Sequence, residues 1–270
     1  MLTRTSLRDL ADRHGLTPSR ALGQNFVVDP NTVRRIARIA DVGPGDHVLE
    51  IGTGLGALTL ALVETGASVT TVETDRHLIP ALDEVLAGVD VRLVVADARN
   101  VDWDELLTGP GRWVLVANLP YNVATPLLLD LLDEVPAIVR MLVMVQLEAA
   151  ERLAAEPGDR AFGLPSLKVR QWAEAEIVGR VSAEVFSPRP RVESALLAIG
   201  RREHPRVDDN VDESFDLARA AFGQRRKMLR RSLAGSVSAD AFARARVDPT
   251  ARPEQLDVAD WSRLARAAAG

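Results

Sequence analysis

A chain of 270 residues, 47% hydrophobic and 26% charged, has room for one full domain and a smaller companion, and enough apolar content to bury a sizeable core. It has no cysteine, which excludes disulfides and thiolate metal sites, and its four histidines (His14, His47, His77, His204) are too scattered to form a ligand set, so no metal is expected. The net charge of −5 argues at first against a nucleic-acid partner. No apolar run approaches the ~18 residues of a membrane span, and the start "MLTRTSLRDLADRHG" has no hydrophobic leader, so a cytoplasmic protein without a membrane partner is expected.

A polar, helical arm comes first. Within it, "NTVRRIARIADVG" repeats Val33, Ile36, Ala37 and Ala40 at helical spacing, a face suited to covering one side of a sheet. From about residue 46, strand-like and helix-like stretches alternate. "DHVLEI" reads as a strand, "GALTLALVETG" as a helix closed by Gly66, "SVTTVE" as a second strand, and "RHLIPALDEVLAG" as a helix closed by Gly88. "VRLVVAD", "RWVLVAN" and "IVRMLVMVQ" follow as further β-branched runs. Apolar on both faces, they have the character of buried parallel strands, and the alternation predicts a doubly wound, Rossmann-like α/β sheet.

Past residue 200 the chain turns Ala/Arg/Asp-rich, with helix-like pieces at "ESFDLARAAFG", "KMLRRSLAG" and "DWSRLARAAAG". The expected division is a catalytic domain with its arm over 1–200 and a small all-helical domain over 201–270, joined through the polar "REHPRVDDN". Charge follows the same division. From 201 onward there are 14 Lys+Arg against 11 Asp+Glu, and before it 19 against 27. The basic part is therefore the tail, and five of the seven residues of "RRKMLRR" (225–231) are cationic, either a solvated helix face or a nucleic-acid contact.

The first strand ends in "EIGTGLGALT". Gly52, Gly54 and Gly56 let the backbone approach a ligand closely, and with Ala57 the stretch also fits a dinucleotide pattern. Glu73 ends the second strand 21 residues beyond Gly52, close to the spacing at which an acid meets ribose hydroxyls, and Asp97 ends the third, where it could accept from an adenine amino group. Nicotinamide and S-adenosylmethionine sites both hold adenosine this way, so the fold leaves them undivided. The fourth strand separates them. It ends in "NLPY", where Asn118 offers an amide oxygen and Pro120, lacking an N–H, biases Leu119 toward an extended backbone whose carbonyl can face outward. Two such acceptors would localise the delocalised lone pair of an aromatic amine toward an electrophilic methyl. Tyr121, the only tyrosine, would stack on the base. An amide or amine target follows, whichever polymer bears it.

With "GQNFVVDP", "EIGTGLGALT", "VETD", "VANLPYNVATPLL", "FSPRPRVESALL" and "FGQRRKMLRRSL" in this order, the chain resembles the KsgA family of ribosomal RNA adenine dimethyltransferases, over about residues 20 to 235. The resemblance implies S-adenosylmethionine as cofactor and two methyl groups on N6 of each of two adjacent adenosines near the 3′ end of small-subunit ribosomal RNA. The related Erm enzymes, which methylate a large-subunit adenosine, share the early blocks. Carried over, Asn25 and Val27 would close over the cofactor, Gly52 and Gly54 would line its methionine end, Glu73 would hold the ribose, Asp97 the adenine, and Asn118 both cofactor and target. Phe186 would be a second ring opposite Tyr121, with Pro188 and Pro190 stiffening its loop. The chain departs from the family pattern in Val27 for Leu, Thr53 for Pro and Met228 for Thr.

In this light Arg225, Arg226, Lys227, Arg230 and Arg231 are expected to form a cationic turn and a half of helix that neutralises RNA phosphates, with a preassembled 30S particle as substrate and the protein a monomer. An Erm-type enzyme, a nicotinamide oxidoreductase and a noncatalytic assembly factor are the competing readings.

Overall fold

The computed structural model describes residues 2–19, 21–109 and 111–270. In chain order its elements are α1 (Arg4–Arg13), β1 (Phe26–Val27), α2 (Pro30–Ala40), β2 (His47–Ile51), α3 (Ala57–Val63), β3 (Ser68–Glu73), α4 (Ile79–Val85), β4 (Val91–Val95), α5 (Trp103–Leu106), β5 (Trp113–Asn118), α6 (Ala124–Glu134) and β6 (Ile138–Gln146). There follow α7 (Leu147–Leu153), α8 (Leu164–Trp172), β7 (Ala173–Val181), β8 (Phe186–Ser187), β9 (Ser194–Arg201), α9 (Val211–Phe222), α10 (Leu229–Ser232), α11 (Ala239–Ala245) and α12 (Val258–Ala269).

Two compact units result. The first comprises the chain up to Ala150 together with Glu176–Gly200, and its centre is a seven-stranded sheet in the order β4-β3-β2-β5-β6-β9-β7. Strands β4, β3, β2, β5 and β6 are parallel, and β9 lies antiparallel to β6. All five expected strands are present, so the α/β fold class holds. Two more, β7 and β9, join from stretches where no strand is expected from the sequence, β9 starting inside the "FSPRPRVESALL" motif. "AEAEIVGRV" has no continuous apolar run, because much of it is exposed, and it therefore carries little of the signal by which buried strands are recognised.

Local chemistry sets the helix limits. Asp29 caps α2 by accepting the Thr32 N–H at 2.8 Å, Pro30 opens it, and Asp41, in the left-handed region at φ 49°, closes it. Val33, Ile36, Ala37 and Ala40 are buried as their spacing predicts, packing with Leu58, Leu62 and the strand residues Val48 and Val116. On another part of the sheet, Leu7 and Leu10 of α1 join Leu78, Leu82 and Leu86. With both faces covered, Val48, Leu49 and Ile51 of β2 are all buried.

The second unit comprises Glu151–Ala175 and Arg201–Gly270. The division expected at residue 200 places its first piece in the catalytic part; in the structure Phe162 and Leu167 pack with Ala218, Leu229, Phe242 and Trp261 in one apolar core. Arg170 donates to both oxygens of Asp257, at 3.0 and 3.2 Å, and Arg206 joins the same carboxylate at 3.0 Å. Asp257 also caps α12, so one carboxylate joins three chain segments. Burial raises its carboxyl, but Arg170, the Val258 N–H and Arg206 together outweigh that and hold it below the usual carboxylate range. Among the described residues, no helix is long and apolar enough to cross a membrane.

Candidate active site

Because β4, β3, β2 and β5 are neighbours running in one direction, their C-terminal ends meet at one edge of the sheet. There a cavity of about 430 Å³ opens, lined by the ends of all four strands and by the segment before β1. It brings together Asn25, Val27, Gly52, Gly54, Glu73, Asp97, Asn118, Leu119, Pro120 and Tyr121.

The glycine turn is held from below. Gly54 has φ 58°, and a Cβ there would fall 3.1 Å from the Phe26 ring, so only glycine fits without strain. Its N–H donates to Glu73 Oε2 at 2.8 Å, and the Asp75 N–H donates to Oε1 at 2.9 Å. Glu73 is only 5% exposed, and burial pushes its carboxyl up despite these two donors. Beneath the turn, Thr59 and Thr71 hydroxyls donate to Glu50 Oε2 at 2.6 and 2.9 Å. Since the Thr71 proton is spent there, the 2.7 Å contact between Thr53 and Thr71 has Thr53 as donor. Thr53 is thus tied to β3 by its hydroxyl. Among the described residues Glu50 Oε1 has no hydrogen-bond partner, and burial pushes its carboxyl up to about 8. This acid went unnoticed in the sequence; an ionisable residue inside the apolar run "VLEI" was the available signal.

Asp97 accepts from the Arg99 backbone N–H at 3.0 Å, from Nε at 3.1 Å and from Nη2 at 2.6 Å. The guanidinium keeps its carboxyl below the usual range. Any adenine contact at Asp97 therefore shares an acid already engaged by Arg99, which the sequence reading did not include.

Asn118 Nδ2 donates to the Asn25 carbonyl at 3.0 Å, which fixes the amide's orientation and leaves Oδ1 as its acceptor end. The same tether draws the segment before β1 onto the "NLPY" turn, where Gly23 packs close to Pro120. The Leu119 N–H is taken by the Met144 carbonyl at 3.2 Å. The Tyr121 hydroxyl lies 2.8 Å from Ser194 Oγ on β9, and burial raises its phenol. Ser194 is fully buried and was not singled out from the sequence.

Phe186 is not brought to this cavity. Its strand β8 pairs antiparallel with β1, opposite Val27, and the ring is 2% exposed within the apolar core beside α2. The expected second ring of a clamp is a core residue in this structure, because pairing with β1 turns it toward the sheet. The basic segment also differs from expectation. Only Arg230 and Arg231 are helical, in the four-residue α10, while Arg225, Arg226 and Lys227 form the turn after α9. Arg225 is partly committed, donating to the Arg160 carbonyl at 2.7 Å and lying 3.6 Å from Glu254. Arg226, Lys227, Arg230 and Arg231 are exposed. Among the described residues no His/Asp/Glu group is arranged to hold a metal.

Comparison with known proteins bears on this geometry. The family model for ribosomal RNA adenine dimethylase matches residues 16–269. The chain belongs to the ribosomal RNA adenine dimethylase family. Relatives named ribosomal RNA small subunit methyltransferase A include one from Kineococcus radiotolerans, 48% identical over 98% of this chain and 91% of that protein. One from Thermobifida fusca is 46% identical over 98% of this chain and 95% of its own length. Of solved structures, the 23S rRNA methyltransferase ErmE superposes with a TM-score of 0.70 at 27% identity, covering 91% of this chain and all of that one. A dimethyladenosine transferase from Plasmodium falciparum gives 0.71 at 24% identity, covering 87% and 94%, and shares the fold. Membership in this family excludes the oxidoreductase reading that the glycine turn alone left open.

Proposed function

We propose that the protein uses S-adenosylmethionine to dimethylate N6 of two adjacent adenosines near the 3′ end of small-subunit ribosomal RNA, acting in the cytoplasm as a monomer on a preassembled 30S particle. The observation that carries the reading is the Asn118 amide. One of its two N–H groups donates to the Asn25 carbonyl, which fixes the amide's orientation and leaves Oδ1 as the acceptor at the strand end lining the cavity.

The cavity suits the cofactor. Gly54, whose lack of a Cβ lets the Phe26 ring close against the turn, donates its N–H to Glu73, a buried acid whose two oxygens are held in place by backbone N–H donors. Glu73 would take the ribose, Asp97 the adenine, Gly52 and Gly54 the methionine end, with Asn25 and Val27 above. When bound, S-adenosylmethionine supplies a methyl group made electrophilic by its sulfonium sulfur. Asn118 Oδ1 and the Leu119 carbonyl would accept both protons of the target amine and favour a pyramidal nitrogen with its lone pair localised. No base is required before attack, and the proton can leave to solvent afterwards. Tyr121 supplies the stacking face, worth about 1–3 kcal/mol, with its hydroxyl anchored on Ser194. The aromatic contact therefore rests on Tyr121 without Phe186. The exposed cations Arg226, Lys227, Arg230 and Arg231, with Arg225, would meet RNA phosphates.

Choice of the small subunit is supported by the identities of 48% and 46% to small-subunit enzymes, against 27% to ErmE. The test is radiolabelled methyl transfer onto small and large subunits lacking the modification, followed by nucleoside analysis. Dimethyladenosine in small-subunit RNA is expected; label confined to large subunits would transfer the protein to the Erm-type reading.

A further inference from the structure

Elsewhere in this chain arginines commonly meet carboxylates, as Arg99 meets Asp97 and Arg170 meets Asp257. One face of α2 does not. Opposite its buried Val33, Ile36, Ala37 and Ala40, the helix exposes Arg34, Arg35 and Arg38. Arg35 donates to the carbonyl of Arg180 on β7 at 3.2 Å, crossing the strand at Gly179, where any Cβ would collide with its guanidinium. Arg140, on β6, donates to the carbonyl of Asp41 at the end of α2, also at 3.2 Å. Carbonyl partners fix a guanidinium in place without neutralising it.

Among the described residues, none of these five arginines forms an ion pair. The carboxylates on or capping the same elements are Asp29, which caps the start of α2, Asp41 at its end, and Glu174 and Glu176 on β7; Asp29 accepts from Thr32 and Glu174 meets Arg202, while Asp41 and Glu176 are exposed. This contrasts with the unit as a whole, which, these five arginines included, holds 15 Lys+Arg against 23 Asp+Glu, a net of −8. The α2 dipole accounts for Arg38 in the last turn, but not for Arg34, Arg35 or Arg180. Arg34 and Arg38, four residues apart, stand one above the other about 6 Å apart, a spacing suited to a polyanion. The helix also begins three residues after the cavity-lining Val27, so a strand bound along it runs from the site.

We propose that the arginine face of α2, with Arg140 and Arg180 beside it, is a docking surface on the catalytic unit for backbone phosphates of the substrate RNA, separate from the basic segment at 225–231. It rests on the RNA-modifying reading above, and an acidic protein is the partner it competes with.

Arg34→Gln/Arg38→Gln removes two cations that make no hydrogen bond holding the fold. Equilibrium binding of small subunits lacking the modification is measured from 50 to 200 mM KCl, with S-adenosylmethionine affinity as a control. The slope of log affinity against log salt should become shallower by about 1 to 2, with cofactor affinity unchanged. Arg8→Gln/Arg13→Gln on α1, an equal charge loss, should leave the slope alone. An unchanged slope for the α2 variant, or an equal change for both variants, would overturn the proposal; the first result is also the one an acidic protein partner would give. Because the readout is binding, wild-type protein that binds subunits without methylating them would defeat the functional reading and leave this surface standing.

Discussion

Replacing Glu50 by Gln tests the buried acid under the glycine turn. Glu50 is 1% exposed, its Oε2 accepts two threonine hydroxyls, and Oε1 has no partner among the described residues. Desolvation raises its carboxyl from 4.5 to about 8, with the charge of Glu73 pushing the same way and the two hydroxyls pulling against it. Between those values the folded protein keeps a proton that the unfolded chain has released. Unfolding therefore sheds a proton in that window, and stability falls as pH rises, by about 1.4 kcal/mol per pH unit at most. Glutamine cannot titrate. Its carbonyl can still accept from Thr59 and Thr71, and its amide N–H2 occupies the position of the protonated oxygen. Urea denaturation of both proteins at pH 5.5 and 7.5 should show the variant gaining on wild type by about 2–3 kcal/mol across the two units. A difference that stays constant with pH would mean that Glu50 is ionised throughout, and the account of the site's electrostatics would be wrong.

Three other outcomes are expected. Asn118→Ala should abolish methyl transfer while cofactor affinity, measured by calorimetry, drops only about 3- to 10-fold through loss of the Asn25 tether; retained turnover would defeat the mechanism. Gly54→Ala should weaken cofactor binding and lower the melting temperature, because the left-handed backbone and the Phe26 ring both oppose a Cβ, and a variant that melts and binds like wild type would contradict the geometry. Tyr121→Phe keeps the ring and loses only the Ser194 bond, so kcat/KM should fall less than about 10-fold, whereas Tyr121→Ala should cost up to about 100-fold. Equal losses in the two would remove stacking from the reading.

What could be read from sequence here was periodic or local. The alternation of β-branched runs with helical spacing gave the five parallel strands, and parallel strands bring their C-terminal ends to one edge, so Gly52, Gly54, Glu73, Asp97 and Asn118 had to converge. The strands β7 and β9 were not legible, since one is largely exposed and the other follows a motif-rich loop. Nor was the role of Phe186: whether an aromatic faces a pocket or a core depends on which strand its neighbours pair with, and β8 found β1, some 160 residues earlier. The orientation of Asn118, the engagement of Asp97 by Arg99 and the threonine ties on Glu50 are likewise set by atoms that meet only after folding. The same holds for Glu151–Ala175, which supplies Phe162 and Leu167 to the helical core. Sequence determines which side chains a strand end or helix face offers, because backbone periodicity is local; their partners depend on packing between distant segments, which only the tertiary structure decides.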